Sequence, residues 1–232
     1  MPVAIITGAS RGLGRALAEA LAARGWDLVL DARNAEVLRK TAADVGAYGT
    51  RVTALPGDVT DAGHRAALVA GARGLGGLDL LVNNAGVLGA EPLVPLGEHS
   101  LDGFRAALEV NVVAPLGLLQ EALPELRAAP SGAVVNVSSD AGAEAYRTWG
   151  AYGATKAALD QLSAVLAVEE PELRVWWVDP GGMRTDMLAA AEPDEDLSGT
   201  PTPADIAPAF VRLLDRRPAS GRYTAAALLE AR

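Results

Sequence analysis

The sequence predicts an α/β fold of three layers, in which helices cover both faces of a doubly wound, mainly parallel sheet. Short apolar stretches alternate with helical stretches along almost the whole chain, as βαβ units require. The apolar stretches are continuous rather than alternating, which is typical of strands buried on both faces. Half of the 232 residues are hydrophobic. This composition suits a single domain over residues 1–232 with a sizeable core.

The first half of the chain begins with a strand and continues as strand and helix in turn. The predicted strands are Val3–Ile6, Trp26–Asp31, Arg51–Leu55 and Asp79–Val82. The predicted helices are Arg15–Arg24, Ala35–Val45 and Ala62–Arg73. Asn83-Asn84-Ala85-Gly86 ends the fourth strand. Each apolar run has the length and boundary residues of a short buried strand.

The second half repeats the pattern with longer helices. Two separate helical stretches come first, Leu101–Val110 and Val112–Ala128. The remaining elements are the strand Ala133–Val137, the helix Tyr152–Val168, the strand Arg174–Val178, the helix Ala204–Leu214 and a short last strand, Gly221–Ala226. Residues 184–203, whose second part is rich in Asp, Glu, Pro, Ser and Gly, are predicted to form a mobile loop near the substrate.

Composition excludes several classes of function. The net charge of −9 argues against a broad nucleic-acid surface. The absence of cysteine rules out disulfides, thiolate catalysis and Cys-ligated metals. The two histidines, His64 and His99, are far apart, so we expect surface positions and no metal site. With no signal-peptide pattern and no run near the ~20 apolar residues of a membrane span, we expect a cytosolic protein without membrane contact.

A glycine-rich turn follows the first strand, with the sequence Thr7-Gly8-Ala9-Ser10-Arg11-Gly12-Leu13-Gly14. Glycines in this place allow a tight turn and close backbone approach, and the next helix presents free N–H groups to a pyrophosphate. Glycines also simply end strands, and the spacing is G-x3-G-x-G. The position directly after the first strand favours dinucleotide binding.

The end of the second strand carries both kinds of residue that distinguish the 2′ group of a cofactor ribose, an acid and a base. Asp31 has the carboxylate that would accept a hydrogen bond from a 2′-hydroxyl, and Arg33 has the charge that would pair with a 2′-phosphate. The register of the strand decides which of the two side chains meets the 2′ group. After the third strand, Asp58 is placed either to accept from an adenine amino group or to cap the following helix.

A second group of residues has the chemistry of proton transfer. Tyr152 and Lys156 are spaced i and i+4, so a helix brings the phenol and the ammonium to one face. A nearby positive charge favours the phenolate and should lower the tyrosine pKa toward the working range. Ser139 follows a buried strand, and Asn111 lies between two helical stretches, where its amide is placed to hold a water. Each residue alone also has an ordinary structural explanation.

Together these motifs resemble the short-chain dehydrogenase/reductase family, over most of the chain from Val3 to about Asp186. The resemblance implies a Rossmann-type sheet of about seven strands in the order 3-2-1-4-5-6-7. It also implies hydride transfer between a nicotinamide and a carbonyl or secondary alcohol. Tyr152 would exchange the proton, Ser139 would bind the substrate oxygen, Lys156 would bind the nicotinamide ribose, and Asn111 would position a water.

The resemblance further implies a cofactor and its contacts. Ala32 stands where members that prefer NAD carry Asp, while Arg33 and Arg11 stand where members that prefer NADP carry basic residues. We therefore expect NADP(H) to be favoured over NAD(H), with Asp31 as the departure from the pattern. The expected cofactor-binding residues are Gly8, Ser10, Arg11, Gly12, Leu13, Gly14, Arg33, Asp58, Val59, Asn84, Ala85, Gly86, Tyr152, Lys156, Pro180, Gly181 and Thr185.

The substrate and the assembly are less specified. Met183, Met187 and Leu188 favour a small, largely apolar carbonyl or alcohol substrate. The segment that precedes Tyr152 either lines the pocket or forms an ordinary loop. Its candidate residues are Glu144, Tyr146, Arg147 and Trp149. The resemblance implies a homodimer through the helices Val112–Ala128 and Tyr152–Val168, or a homotetramer, although the C-terminal tail departs from the family pattern.

One alternative has a different function on the same fold, namely a regulatory protein that binds NADP(H) and senses its redox state without turnover. The presence of all four residues Asn111, Ser139, Tyr152 and Lys156 favours catalysis, because binding alone does not need the complete set.

Overall fold

The computed structural model describes residues 1–230 and contains a seven-stranded, fully parallel sheet. The strand order is β3-β2-β1-β4-β5-β6-β7, which confirms the predicted fold class. The strands are β1 Val3–Ile6, β2 Asp27–Ala32, β3 Val52–Pro56, β4 Leu80–Asn83, β5 Ala133–Val137, β6 Arg174–Asp179 and β7 Gly221–Thr224. The last two residues of the domain predicted over residues 1–232 lie outside the described residues.

Helices connect the strands and cover the sheet. They are α1 Gly12–Ala22, α2 Ala35–Gly46, α3 Ala62–Leu75, α4 Leu101–Leu108, α5 Ala114–Ala128, α6 Gly150–Glu169, α7 Asp186–Ala191, α8 Pro203–Arg216 and α9 Ala225–Glu230. The predicted boundary of the first helix is wrong, because α1 begins three residues before Arg15 and takes the last glycines of the turn into its first turn.

Two of the predicted helical stretches form one continuous helix. A π-helical segment, Glu109–Val113, joins α4 to α5, so the chain is helical from Leu101 to Ala128. By length and composition alone this helix could cross a membrane, although it was predicted as two shorter stretches. One side of it packs on the sheet, where Leu118, Ala122 and Leu126 are buried.

The core has two parts, one on each face of the sheet. In β1, Ala4 and Ile6 face the side covered by α1 and α8, while Val3 and Ile5 face the side covered by α3, α5 and α6. All four residues are buried, as are all six residues of β2. This arrangement explains the continuous apolar runs in the sequence, because alternate residues of each strand pack into different halves of the core.

The strand order changes direction between β1 and β4, and side chains tie these two strands together at their carboxyl ends. The Thr7 hydroxyl accepts hydrogen bonds from the backbone N–H groups of Asn84 and Ala85, both at 3.0 Å. The Asn84 amide donates to the Thr7 carbonyl at 2.8 Å. Successive connections leave toward opposite faces at this point, which opens a crevice at the carboxyl ends of the strands.

The segment predicted to be a mobile loop has regular structure of its own. It contains α7 and a short 3-10 turn at Leu197–Gly199, and the Thr185 hydroxyl caps α7 by accepting from the Leu188 N–H at 3.2 Å. Mobility of residues 184–203 stays a prediction.

Thr7→Val should destabilise the protein, because the methyl group that replaces the hydroxyl leaves the backbone N–H groups of two half-buried residues, Asn84 and Ala85, without their acceptor. We expect the free energy of unfolding, measured by urea denaturation, to fall by about 1–3 kcal/mol. Thr53→Val is the matched control, since Thr53 lies in β3 and is only half-buried. Equal stability of the two variants would contradict the role assigned to the Thr7 hydroxyl.

Candidate active site

A cleft of about 1080 Å³ lies at the carboxyl ends of the strands, where doubly wound sheets bind ligands. It runs from the glycine-rich turn to Tyr152 and Lys156. Two of the predicted site residues, Gly14 and Asn111, are buried behind its wall. The others line the cleft: Gly8, Ser10, Arg11, Gly12, Leu13, Arg33, Asp58, Val59, Asn84, Ala85, Gly86, Ser139, Tyr152, Lys156, Pro180, Gly181 and Thr185.

The glycine-rich turn has the shape that a pyrophosphate requires. Gly8 and Gly12 have positive φ values, +65° and +56°, which side chains rarely adopt. Gly14 has another role: a Cβ there would lie 2.4 Å from the Gly8 carbonyl oxygen, so the glycine lets α1 pack against the turn. No side chain among residues 1–230 caps α1 at Arg11, so the first N–H groups of the helix have no side-chain acceptor, which is the arrangement that an anion-binding helix start requires.

Asn84 supports this turn from β4. Its amide nitrogen donates to the carbonyl oxygens of Thr7 and Gly8, at 2.8 and 3.3 Å. The side chain therefore fixes the backbone that carries the first glycine. Gly86, two residues later, has a half-buried position from which a Cβ would face the Asn111 amide oxygen and the Lys156 ammonium.

Asp31 and Arg33, the two candidates for contact with a cofactor ribose, have different surroundings at the end of the cleft beside β2. Arg33 is exposed on the cleft wall. Asp31 is only 2% exposed, and its carboxylate lies 2.7 Å from His64 Nε2 and accepts from the Gly8 N–H at 3.4 Å. The surface position predicted for His64 is wrong, since its side chain is 11% exposed. No motif in the sequence indicates that the histidine of α3 reaches β2.

Arg11 and Asp58 stand on either side of this end of the cleft. The Arg11 guanidinium pairs with Asp186 of α7 at 2.8 Å, but both side chains are about three-quarters exposed, so the pair contributes little to stability. Asp58 accepts from the N–H and hydroxyl of Thr60, which lowers the pKa of its carboxyl. The cap of α3 is Asp61, so Asp58 does not have the capping role that the sequence left open.

Tyr152 and Lys156 are buried together at the other end of the cleft, on α6. The Lys156 nitrogen lies 5.4 Å from the centroid of the Tyr152 ring and donates to the Val137 carbonyl at 2.8 Å. Burial lowers the pKa of Lys156 to about 8, opposed by the Asp160 carboxylate. Burial also raises the pKa of Tyr152, assisted by Asp140 and Asp179. The predicted lowering of the tyrosine pKa is therefore wrong for the protein alone, because desolvation dominates.

Ser139 belongs to a polar network that the sequence did not indicate. Its hydroxyl donates to the Asp140 carboxylate at 3.0 Å and accepts from the Ala141 N–H. Arg222 of β7 donates to the Ser139 carbonyl at 3.0 Å and pairs with Asp160 at 3.2 Å. The network thus connects the last strand to the loop that carries Ser139.

Asn111 is held by its amide group in the π-helical segment. Its oxygen accepts from the Val87 N–H at 2.9 Å, and its nitrogen donates to the Val87 carbonyl and the Thr155 hydroxyl, both at 2.9 Å. These bonds join the helix to the segment after β4 and to α6, one residue before Lys156. Asn111 therefore lies close to Tyr152 and Lys156. The residue is only 1% exposed, so it does not itself line the cleft.

The four residues whose place in the pocket was left open divide evenly. Tyr146 and Trp149 line the cleft, and Trp149 contacts the Tyr152 ring edge to face at 5.6 Å between centroids. Glu144 and Arg147 are exposed and add nothing to the wall that residues 1–230 form. Met183, Met187 and Leu188 also line the cleft, and their place on a substrate side stays a prediction. Within the described part of the chain, no three His, Asp or Glu side chains are grouped to hold a metal.

Comparison with known proteins identifies the family. The model of the family described as short chain dehydrogenase matches residues 2–196. The chain belongs to this family. Among curated relatives of this short-chain dehydrogenase, an uncharacterized oxidoreductase of Escherichia coli K12, YciK, is 34% identical and is covered over 85% of its length by 91% of the chain. Sepiapterin reductase of Meriones unguiculatus is 39% identical, with 82% of the chain matching 77% of that protein.

Solved structures agree with this assignment. One described as a short-chain dehydrogenase from Shigella flexneri 2a complexed with NADP superposes on this short-chain dehydrogenase with a TM-score of 0.90 at 33% identity. The match covers 97% of each chain.

Gly14→Ala should damage the turn of this short-chain dehydrogenase, because the new Cβ would lie 2.4 Å from the Gly8 carbonyl oxygen. We expect the free energy of unfolding to fall by about 1–3 kcal/mol and the Kd for a nicotinamide dinucleotide to rise about tenfold or more. Fluorescence titration measures the second effect. Gly46→Ala is the control, since a Cβ at this helical position meets nothing within 4 Å. Unchanged dinucleotide affinity in Gly14→Ala would refute the role of the turn.

Proposed function

We propose that this short-chain dehydrogenase transfers a hydride between NADP(H) and a small carbonyl or secondary alcohol, with Tyr152 as the general acid and base. One observation carries the proposal: a single cleft joins the buried Tyr152–Lys156 pair to the glycine-rich turn and its flanking arginines. A dinucleotide is long enough to need both ends of such a cleft, and the carbonyl chemistry needs a proton donor at one of them.

Tyr152 has the protonation state that carbonyl reduction requires. The raised pKa keeps its phenol protonated at neutral pH, so the hydroxyl holds a proton for the substrate oxygen. Burial of most of the residue strengthens the electrostatic interactions around this proton. In the oxidative direction the same oxygen takes the proton from the alcohol, and positive charge nearby favours that step.

The described residues fit a nicotinamide dinucleotide, which supplies or accepts the hydride when bound. The free N–H groups of α1 and the positive-φ glycines suit its pyrophosphate. Pro180, Gly181 and Thr185 line the cleft beside the catalytic end and are proposed to hold the nicotinamide half. Lys156 is proposed to bind the nicotinamide ribose, and Ser139 to donate to the substrate oxygen.

Three observations support NADP(H) over NAD(H). Arg33 and Arg11 both line the cleft with exposed side chains, the second paired with Asp186, and guanidinium groups suit a 2′-phosphate. The Asp31 carboxylate, which would suit a 2′-hydroxyl, is bonded to His64. The Shigella flexneri relative was solved with NADP. Asp58 and Val59 are proposed to contact the adenine.

The substrate side of the cleft supports a small, mainly apolar carbonyl compound. Trp149, Met183, Met187 and Leu188 give this wall its apolar character. A relative named as a reductase, sepiapterin reductase, supports carbonyl reduction as the reaction class. A cytosolic location remains a prediction.

Tyr152→Phe tests the chemistry, because it removes the hydroxyl and keeps the ring. We expect turnover across a carbonyl panel, followed as NADPH consumption, to fall by about 10²–10⁴-fold, while the Kd for NADPH changes little. Tyr48→Phe is the control, since Tyr48 is 56% exposed and distant from the cleft. Near-normal turnover in Tyr152→Phe would remove the proposal. NADPH binding without turnover of any carbonyl by the wild type would favour the regulatory alternative.

We also propose a homodimer through α5 and α6. The π-helical segment and α5 expose Val113 and Leu116, and α6 exposes Val165 and Val168, so each helix carries an apolar pair at i and i+3. Such paired positions form one stripe on a helix, and facing stripes favour association. The tetramer of the family remains an alternative assembly.

Leu116→Glu should weaken the dimer, because it places a charge in the apolar stripe. We expect light scattering to give twice the mass of one chain for the wild type and a concentration-dependent decrease toward one chain for the variant. Tyr48→Glu introduces the same charge on an exposed apolar residue elsewhere and should leave the mass unchanged. A monomeric wild type would contradict the dimer.

A further inference from the structure

A buried acid and histidine lie beneath the β2 end of the cleft. Asp31 is the penultimate residue of β2, and His64 is in the first turn of α3. The carboxylate oxygen Oδ1 lies 2.7 Å from His64 Nε2, and Oδ2 accepts from the Gly8 N–H at 3.4 Å. The pair therefore connects β2, α3 and the glycine-rich turn. Nothing in the proposed chemistry at Tyr152 uses it.

The histidine ring is seated tightly against the loop after β3. A Cβ on Gly57 would lie 2.3–2.6 Å from three atoms of the ring, so glycine at this position allows the ring to reach Asp31. The Gly57 N–H donates to the Ala32 carbonyl at 3.1 Å, which holds the loop beside β2. These contacts fix the ring, and the ring fixes the carboxylate.

The position of Asp31 gives the pair a consequence for the cofactor. Asp31 and Arg33 both line the same end of the cleft, with Ala32 between them. A free carboxylate there would accept a hydrogen bond from a ribose 2′-hydroxyl and would repel a 2′-phosphate. Burial raises the pKa of Asp31, and the hydrogen bond from His64 opposes that effect. The histidine therefore favours the ionised form of the buried carboxyl.

We propose that His64 determines dinucleotide selectivity by holding the Asp31 carboxylate against the floor of the cleft, which leaves the 2′ position to Arg33 and Arg11. The inference rests on the proposed NADP(H) function. His64 is a positioning residue, because it acts on the cofactor through Asp31. If the Asp31–His64 pair only stabilises the fold, its loss should weaken the binding of both dinucleotides equally. If it controls selectivity, its loss should change the ratio of the Kd for NADH to the Kd for NADPH.

The test measures the Kd of NADPH and NADH by fluorescence titration in the wild type, His64→Ala, Asp31→Ala and the double variant. In His64→Ala we expect the preference for NADPH over NADH to fall about tenfold, because the carboxylate can then turn into the water of the cleft, where it is ionised, repels the 2′-phosphate and accepts from the 2′-hydroxyl. Removing that carboxylate in the double variant should restore the preference. Asp31→Ala alone should keep it.

Two further variants make the result decisive. Gly57→Ala displaces the ring from its seat without removing it, and should lower the same preference even if His64→Ala fails to fold. His99→Ala removes the other histidine, which lies outside the cleft wall formed by residues 1–230, and should change neither Kd. An unchanged preference in both His64→Ala and Gly57→Ala, or equal weakening of the two dinucleotides, would overturn the inference.

The titrations also separate this inference from the proposed function. Tighter binding of NADH than NADPH by the wild type contradicts the proposed cofactor preference. In that case a shift of the ratio in His64→Ala, reversed by Asp31→Ala, still supports selectivity control by the pair, and an unchanged ratio overturns it.

Discussion

Hydrogen bonds between the carboxyl ends of β1 and β4 hold the two strands at which the sheet reverses its order. The Thr7 hydroxyl and the Asn84 amide join the backbones there, and Gly8 and Ala85 approach closely enough that a Cβ on Gly8 would lie 3.0 Å from the Ala85 Cα. The first glycine of the turn, the start of α1 and the segment leading to Gly86 all take their positions from this junction. The cleft exists because the connections diverge from it, so stability and ligand binding depend on the same few atoms.

Burial controls the electrostatics at the catalytic end. Desolvation moves the pKa of Lys156 down and that of Tyr152 up, so each shift favours the neutral form of its group. The carboxylates of Asp140 and Asp179 increase the second effect, while Arg222 lies 3.9 Å from Asp179 and offsets its charge. The protein alone therefore stores a proton on the phenol. A bound positive charge would be the factor that releases it.

Apolar periodicity predicted the layers, because it acts over short distances along the chain, and the resemblance to the family implied the strand order and most of the residues of the cleft wall. Prediction from the sequence failed where the deciding contact joins distant segments. The Asp31–His64 pair spans 33 residues and the Arg222–Ser139 bond spans 83. Asn111 illustrates a second limit, since a π-helical turn has no signal in composition, and a continuous helix stands where two helical stretches were predicted. The tyrosine pKa depended on burial, which spacing along α6 does not reveal.

Arg222 connects the C-terminal strand to the loop that carries Ser139, near the middle of the chain. The residue lies in β7, the last strand of the sheet, and its guanidinium holds the carbonyl of Ser139. β7 comes after every other strand along the chain, so the serine loop takes its support from the strand farthest in sequence from the glycine-rich turn. A chain cut before β7 would keep the residues of the phosphate turn and lose the contact that anchors the serine.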